Sequence, residues 1–241
     1  MCGRVVSTST VDQIVDWLGV DEVVAPRLAP SWNVAPGRDL YAVVRTRSGT
    51  RRLGLMRWGL VPSWSTDPAA GPRPINARAE SLLDRPAFAD AVVRRRCLIP
   101  VDGFYEWERL GNAAGGRTRQ PWYLAPTDGG LLAMAGLWDR WVAPDGEALV
   151  SVAVVTVASN ADVARLHDRM PAVLDAAAWD TWLDPASGSD VGGLLDLLTP
   201  AESGFLQRRP VSASVNSVAN DGPDLLDPVE PAVVEETATL F

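Results

Sequence analysis

Lysine is absent from this sequence, histidine occurs once, and cysteine occurs twice in 241 residues. Two cysteines in so long a chain build no disulfide framework. With one histidine they also fall short of the four ligands a structural zinc site wants, so a reduced protein without metal or cofactor is expected. No apolar run is long enough to span a membrane. The first twenty residues carry Arg4, Asp12 and Asp16 and no apolar core, which argues against a secretory leader. A cytoplasmic location follows. Internal repeats and linkers between separate cores are also missing, so a single domain is expected.

Charge of one sign is scarce as well, but unevenly. The net charge is −8, from 22 basic and 30 acidic residues, and every basic residue is arginine. Residues 1–120 hold 17 Arg against 12 acids, whereas residues 121–241 hold 5 against 18. The overall acidity therefore does not exclude a nucleic-acid partner for the first half. The guanidinium fork suits phosphate.

The patterning predicts short helices among many strands. Thr10 and Gln13 have capping-box spacing, with Gly19 as the stop. Residues 20–39 read as irregular, and Leu40–Arg47 with Arg51–Leu60 as a hairpin across Ser48-Gly49. A proline-rich loop at 62–74 precedes helical pieces at Arg78–Leu83 and Pro86–Arg95. Cys97–Glu108 reads as one strand leading to a hairpin tip at 111–119. Trp122–Ala125, Leu131–Trp141 and Ala148–Ala158 follow as strands. Ser159 or Asn160 is expected to cap a helix, with more helices at Ala176–Leu183 and Val191–Leu198 and a strand at Gln207–Ser212. The division expected is a domain over 1–218 and an acidic tail over 219–241. Hairpins with helices between them predict an α+β domain with a largely antiparallel sheet.

Several residues could carry chemistry. Met1 precedes a small side chain, and its removal would leave Cys2 as the N-terminus, a 1,2-aminothiol. Its amine and thiol titrate near about 8 and about 8.5 when unperturbed. The pair suits acyl transfer by the thiolate, or aldehyde capture through an imine that the thiol closes to a thiazolidine. A loose terminus is the bland alternative. Glu106 lies in Gly103-Phe104-Tyr105-Glu106-Trp107, where burial would raise its pKa and make it a proton donor. His167 lies in Leu166-His167-Asp168-Arg169-Met170-Pro171 and fits an acid/base role or a plain surface position. Asn76 and Arg78 stand at an expected helix start, a natural anion site or simply a cap. Ten tryptophans, among them Trp58, Trp64 and Trp107, could stack on unpaired bases or fill the core. Cys97 reads as a buried structural thiol.

These pieces together resemble the SOS-response-associated peptidase (SRAP) family. The motifs are Met-Cys-Gly-Arg at 1–4, Trp-Asn-Val-Ala-Pro at 32–36 and Arg-Trp-Gly-Leu-Val-Pro-Ser-Trp at 57–64. Asn-Ala-Arg-Ala-Glu at 76–80, Gly-Phe-Tyr-Glu-Trp at 103–107 and His-Asp-Arg-Met-Pro at 167–171 complete the set. The resemblance implies a barrel-like β core with flanking short helices. It also implies binding of single-stranded DNA and a covalent crosslink from Cys2 to the aldehyde of an abasic site. Carried over by motif, Cys2, Asn76, Glu106 and His167 form the catalytic set, while Arg4, Asn33, Pro36, Trp58, Trp64 and Arg78 contact DNA. A metal-free monomer, nucleoid-associated when bound, with accompanying lyase and self-processing peptidase activities, is the expectation. A glutaminase-type amidohydrolase or an autoprocessing thiol peptidase remains the alternative, since Met-Cys-Gly opens such enzymes too.

Overall fold

The computed structural model describes residues 2–67, 71, 73–110 and 118–231. Most of the expected hairpin tip, part of the 62–74 loop and the last ten residues lie outside that set.

Among the described residues, thirteen strands and four α-helices follow in chain order. They begin β1 (Val5–Ser7), α1 (Val11–Leu18), β2 (Glu22–Val23), β3 (Ser31–Val34), β4 (Asp39–Arg45), β5 (Arg51–Trp58) and β6 (Asn76–Arg78). Next come α2 (Pro86–Arg94), β7 (Arg96–Val101), β8 (Gly103–Leu110), β9 (Thr118–Pro126), β10 (Leu132–Val142) and β11 (Ala148–Ala158). Then follow β12 (Arg169–Pro171), α3 (Ala176–Leu183), α4 (Val191–Asp196) and β13 (Leu206–Pro210). Local chemistry accounts for many of the bounds. Thr10 and Gln13 close a reciprocal capping box on α1, and Gly19 ends it in the left-handed conformation at φ 58°. Asp175 caps α3, and Pro86 sits at the tolerated first turn of α2.

Five strands close on themselves. β4 pairs with β5 and β7, β7 with β10, β10 with β11, and β11 returns to β5 in parallel register. This ring is a small barrel whose strands bury side chains on both faces, Ile99 and Val152 on one and Val43, Leu53, Leu98 and Leu137 on the other. A second, open sheet runs β13-β9-β8-β1-β3. The chain passes from barrel to open sheet at Asp102, between β7 and β8. Its carboxylate accepts from Thr8 N, Ser9 N and Ser9 Oγ at 2.7–3.2 Å, so it also fixes the turn into α1. Gly103 follows because a Cβ there would lie 2.5 Å from both the Leu124 carbonyl and the Tyr123 hydroxyl.

Some expectations need correction. Cys97–Glu108 is two strands broken at Asp102, not one. Asn76–Arg78 is a strand, followed by a single 3-10 turn at Ala79–Ser81, not the start of a helix. The segment after Asn160 forms turns; Asn160 Oδ1 accepts from Asp162 N and Val163 N without a helix following. Residues 219–231 do not hang free. Leu225 is 2% exposed in a small cluster with Val6, Tyr105 and Val211, and Val229 N donates to the Pro210 carbonyl. None of the helices among the described residues is long and apolar enough to cross a membrane.

Candidate active site and nucleic-acid interface

Cys2 stands just before β1 and is fully buried. β1 pairs antiparallel with β8, with Val5 opposite Phe104, and Tyr105 N donates to the Arg4 carbonyl at 3.0 Å. Continued one turn of the pleat, that register carries the start of the chain alongside Glu106. From the other side, Asn76 Nδ2 donates to the Cys2 carbonyl at 2.9 Å. Asn76 is held there because β6 pairs in parallel with β11, Asn76 opposite Val154. The Asn76 Oδ1 atom is buried and has no hydrogen-bond partner among the described residues.

His167 lies just before β12, which pairs with the same β11 at Thr156–Ala158. β11 therefore holds the strand that carries Asn76 and the strand that follows His167, while the open sheet carries Glu106 and is entered from Cys2. The four residues converge on the seam between the sheets.

Electrostatics separate their roles. Burial pushes the Cys2 thiol well above its ordinary range, and the Glu106 charge adds to the effect. Burial likewise raises the Glu106 carboxyl, at 2% exposure, with the charge of Asp168 contributing. Burial lowers His167, and the Arg109 and Arg169 charges push the same way. His167 Nδ1 accepts from Arg169 N at 3.0 Å yet also lies 2.7 Å from Asp168 Oδ1. The first arrangement needs an unprotonated Nδ1 and the second a protonated one. Lowered proton affinity favours a neutral ring, and of its two tautomers the one protonated on Nε2 is the one that accepts the Arg169 N–H.

The residues expected to contact DNA fall into two groups. Arg78, Pro36 and Trp64 are exposed, Trp64 at 67%. Trp64 rides on a fastened loop: Ser63 N donates to buried Asp139 Oδ2 at 2.8 Å, and Trp141 Nε1 to the Ser65 carbonyl at 2.6 Å. Pro36 lines an open groove of about 670 Å³ with Asn33, Arg38 and Arg57. Trp58 and Asn33, in contrast, are buried. Trp58 donates Nε1 to the Ile75 carbonyl at 3.0 Å, which anchors the approach to Asn76 and leaves the ring no face for a base. Asn33 Nδ2 reaches the carbonyls of Val215, Ser217 and Asn220, and its Oδ1 accepts from Arg4 Nη1 at 2.6 Å.

Arg4 is thus braced within the chain. Nη1 also donates to the Val215 carbonyl at 2.8 Å, and the guanidinium lies 6.0 Å from the centre of the Trp107 ring. Trp107 Nε1 donates to Asn216 Oδ1 at 2.7 Å. Arg4 Nε is buried with no partner among the described residues.

A family model described as SOS response associated peptidase (SRAP) matches residues 1–218. The chain belongs to the SRAP family. Abasic site processing protein YoqW of Bacillus subtilis is 36% identical to this SRAP chain over 228 residues, covering 94% of it and 99% of the relative. Abasic site processing protein HMCES of Gallus gallus is 34% identical, covering 87% of this chain and 69% of the relative. A crystal structure of a Bacteroides thetaiotaomicron protein superposes with a TM-score of 0.82 at 21% identity, covering 95% of this chain and 100% of that one, so the two share a fold.

Sequence reasoning missed the stretch Val215–Asp221, which holds Arg4, Asn33 and Trp107 and accepts Trp32 N on Asp221 Oδ1 at 2.6 Å. It carries no local signal, because its partners lie up to 211 residues away. Asp139, the anchor of the Trp64 loop, was missed as well; a lone Asp in a strand of apolar residues was its only trace.

Proposed function

We propose that this chain processes abasic sites in single-stranded DNA by forming a covalent adduct through Cys2. The observation that carries the proposal is the placement of Cys2 at the seam, its carbonyl held by Asn76 and its thiol feeling Glu106. Relatives named abasic site processing proteins support it.

The buried thiol is protonated at rest, so it is a poor first nucleophile. The amine of the mature N-terminus acts first. It attacks C1′ of the ring-opened deoxyribose to give a carbinolamine. Glu106, whose raised pKa leaves it able to donate, protonates the departing hydroxyl; water leaves and an iminium remains beside the Glu106 carboxylate. The thiol then adds to the same carbon, its proton returns to the Glu106 carboxylate, and a neutral thiazolidine closes. One water is released overall. Neutral His167, with its proton on Nε2, can donate a hydrogen bond to the sugar oxygen. Arg4 and Arg78 serve the flanking phosphates, and Trp64 offers a stacking face. Reversal through the imine would permit a lyase outcome.

A thiolate-first hydrolase needs the opposite electrostatics, a Cys2 lowered into the neutral range. Incubation with an abasic oligonucleotide followed by a denaturing gel tests the proposal. The expected result is a DNA-dependent shift that requires Cys2 and loss of Met1. Glutamine or peptide hydrolysis without any shift would overturn it.

A further inference from the structure

The β8–β9 hairpin sets Arg109 directly opposite Arg119. Like charges facing each other across paired strands are destabilising. Both residues are exposed, and among the described residues neither makes a salt bridge or a side-chain hydrogen bond. Carboxylates are nearby in the same strands: Glu106 and Glu108 alternate with Trp107 and Arg109. Alternation turns those acids to the buried face, where Glu108 accepts from Trp122 Nε1 and Arg165 Nε at 3.0 and 2.7 Å. Among the described residues, the outer face of the hairpin is therefore left with two arginines and no internal counter-charge.

Their position gives that face a use. Arg119 lines an open groove of about 460 Å³ together with Gly3, Arg4, Trp107 and Asn216. The groove begins one residue from Cys2. On the other flank, the Arg109 charge is one of those that depress His167. Arg119 thus lines the Arg4–Trp107 groove, and the charge of its cross-strand partner Arg109 reaches His167. Cross-strand neighbours have Cβ atoms about 5 Å apart, close enough for two guanidinium forks to share one phosphodiester or grip adjacent ones.

We propose that Arg109 and Arg119 form a phosphodiester-binding pair that holds the DNA strand beside the nucleotide presented to Cys2. The inference rests on the single-stranded DNA reading above, but not on the crosslink. The pair supplies position and carries no sequence preference, since it has no route to base edges.

The test is the affinity of an undamaged single-stranded oligonucleotide as a function of salt. It compares wild type with Arg109→Gln, Arg119→Gln and the double variant, and Arg94→Gln on α2 is the control for general charge loss. The slope of log K against log salt should fall in magnitude by about 0.7 for each phosphate that is no longer neutralised, equally for oligonucleotides of different base composition. Thermal midpoints should stay level or rise, because a like-charge pair has been relieved. This opposition of sign is the signature, since a merely structural pair would lose stability and affinity together. An unchanged slope in the double variant would overturn the pair, as would a slope that Arg94→Gln reduces equally. A wild type that binds undamaged strand but never shifts on a denaturing gel would sink the crosslink while leaving this pair standing.

Discussion

The closed barrel and the open sheet bury different chemistry, and the two cysteines display the contrast. Cys2 and Cys97 are both fully buried, and burial raises both thiols. Cys97 faces barrel filling; a Cβ on the adjacent Gly136 would come 2.7 Å from its sulfur, so the site is packed tight. Cys2 lies against a sheet whose inner face holds Glu106, Glu108 and Gln120, each under 10% exposed. Burial alone does not make a reactive cysteine. What distinguishes Cys2 is a titratable neighbour and an amide on its carbonyl.

The largest expected effect breaks that contrast outright. Cys2→Ala should abolish the stable adduct, whereas Cys97→Ala should retain it and cost about 1 kcal/mol of stability. Denaturing gels and thermal melts read the two separately, and equal loss of adduct would show that burial class, not the seam, decides.

Next in size is Glu106→Gln, which should slow single-turnover crosslinking roughly 10²-fold while affinity for undamaged strand stays near wild type. The same variant tests the cost of the buried acid. Glu106 is raised from 4.5, so the folded state holds its proton more tightly than the unfolded chain. Its ionisation in the fold is unfavourable, and stability falls as pH rises from about 4.5 through the raised value. Glu106→Gln should therefore melt above wild type at neutral pH, with the gap closing towards pH 4.5. His167 runs the other way. Its folded value is lowered from 6.5, so stability is lost as pH falls below that range, and His167→Gln should flatten this acid limb.

The smallest effects concern the C-terminal segment. Ending the chain after Pro231 should leave DNA affinity unchanged. Ending it after Ser214 removes the acceptors for Arg4, Asn33 and Trp107 and should weaken binding about tenfold. Equal affinities would mean that those brackets leave the interface unaffected.

Local codes were legible in the sequence and distant pairings were not. The α1 box, the Gly49 turn at φ 90°, and the bounds of β11 and α3 all follow from neighbouring residues. β6 could not be read that way, because Asn76–Arg78 becomes a strand only by parallel pairing with β11, far along the chain. β3 escaped for a similar reason: Ser31–Val34 lies among prolines and is extended by its partner β1. At the seam, Cys2, Asn76, Glu106 and His167 could be singled out because each sits in an unusual local string. The roles of Trp58 and Asn33 could not, since nothing local distinguishes a tryptophan that stacks on bases from one that anchors a loop. Asn216 sits in a run of small, uncharged residues that resembles any surface turn.

The bracket between Arg4 and Val215 also fixes an order of events in the life of the chain. The two residues are 211 positions apart, so one is made well before the other. A nascent chain has its Cys2 end exposed throughout synthesis, yet lacks the carbonyls that orient Arg4 and Asn33 until residue 220 has emerged. The grip on Arg4 and Asn33 is therefore completed long after Cys2 is made, and a product truncated before Val215 carries Cys2 without the carbonyls that direct its neighbours.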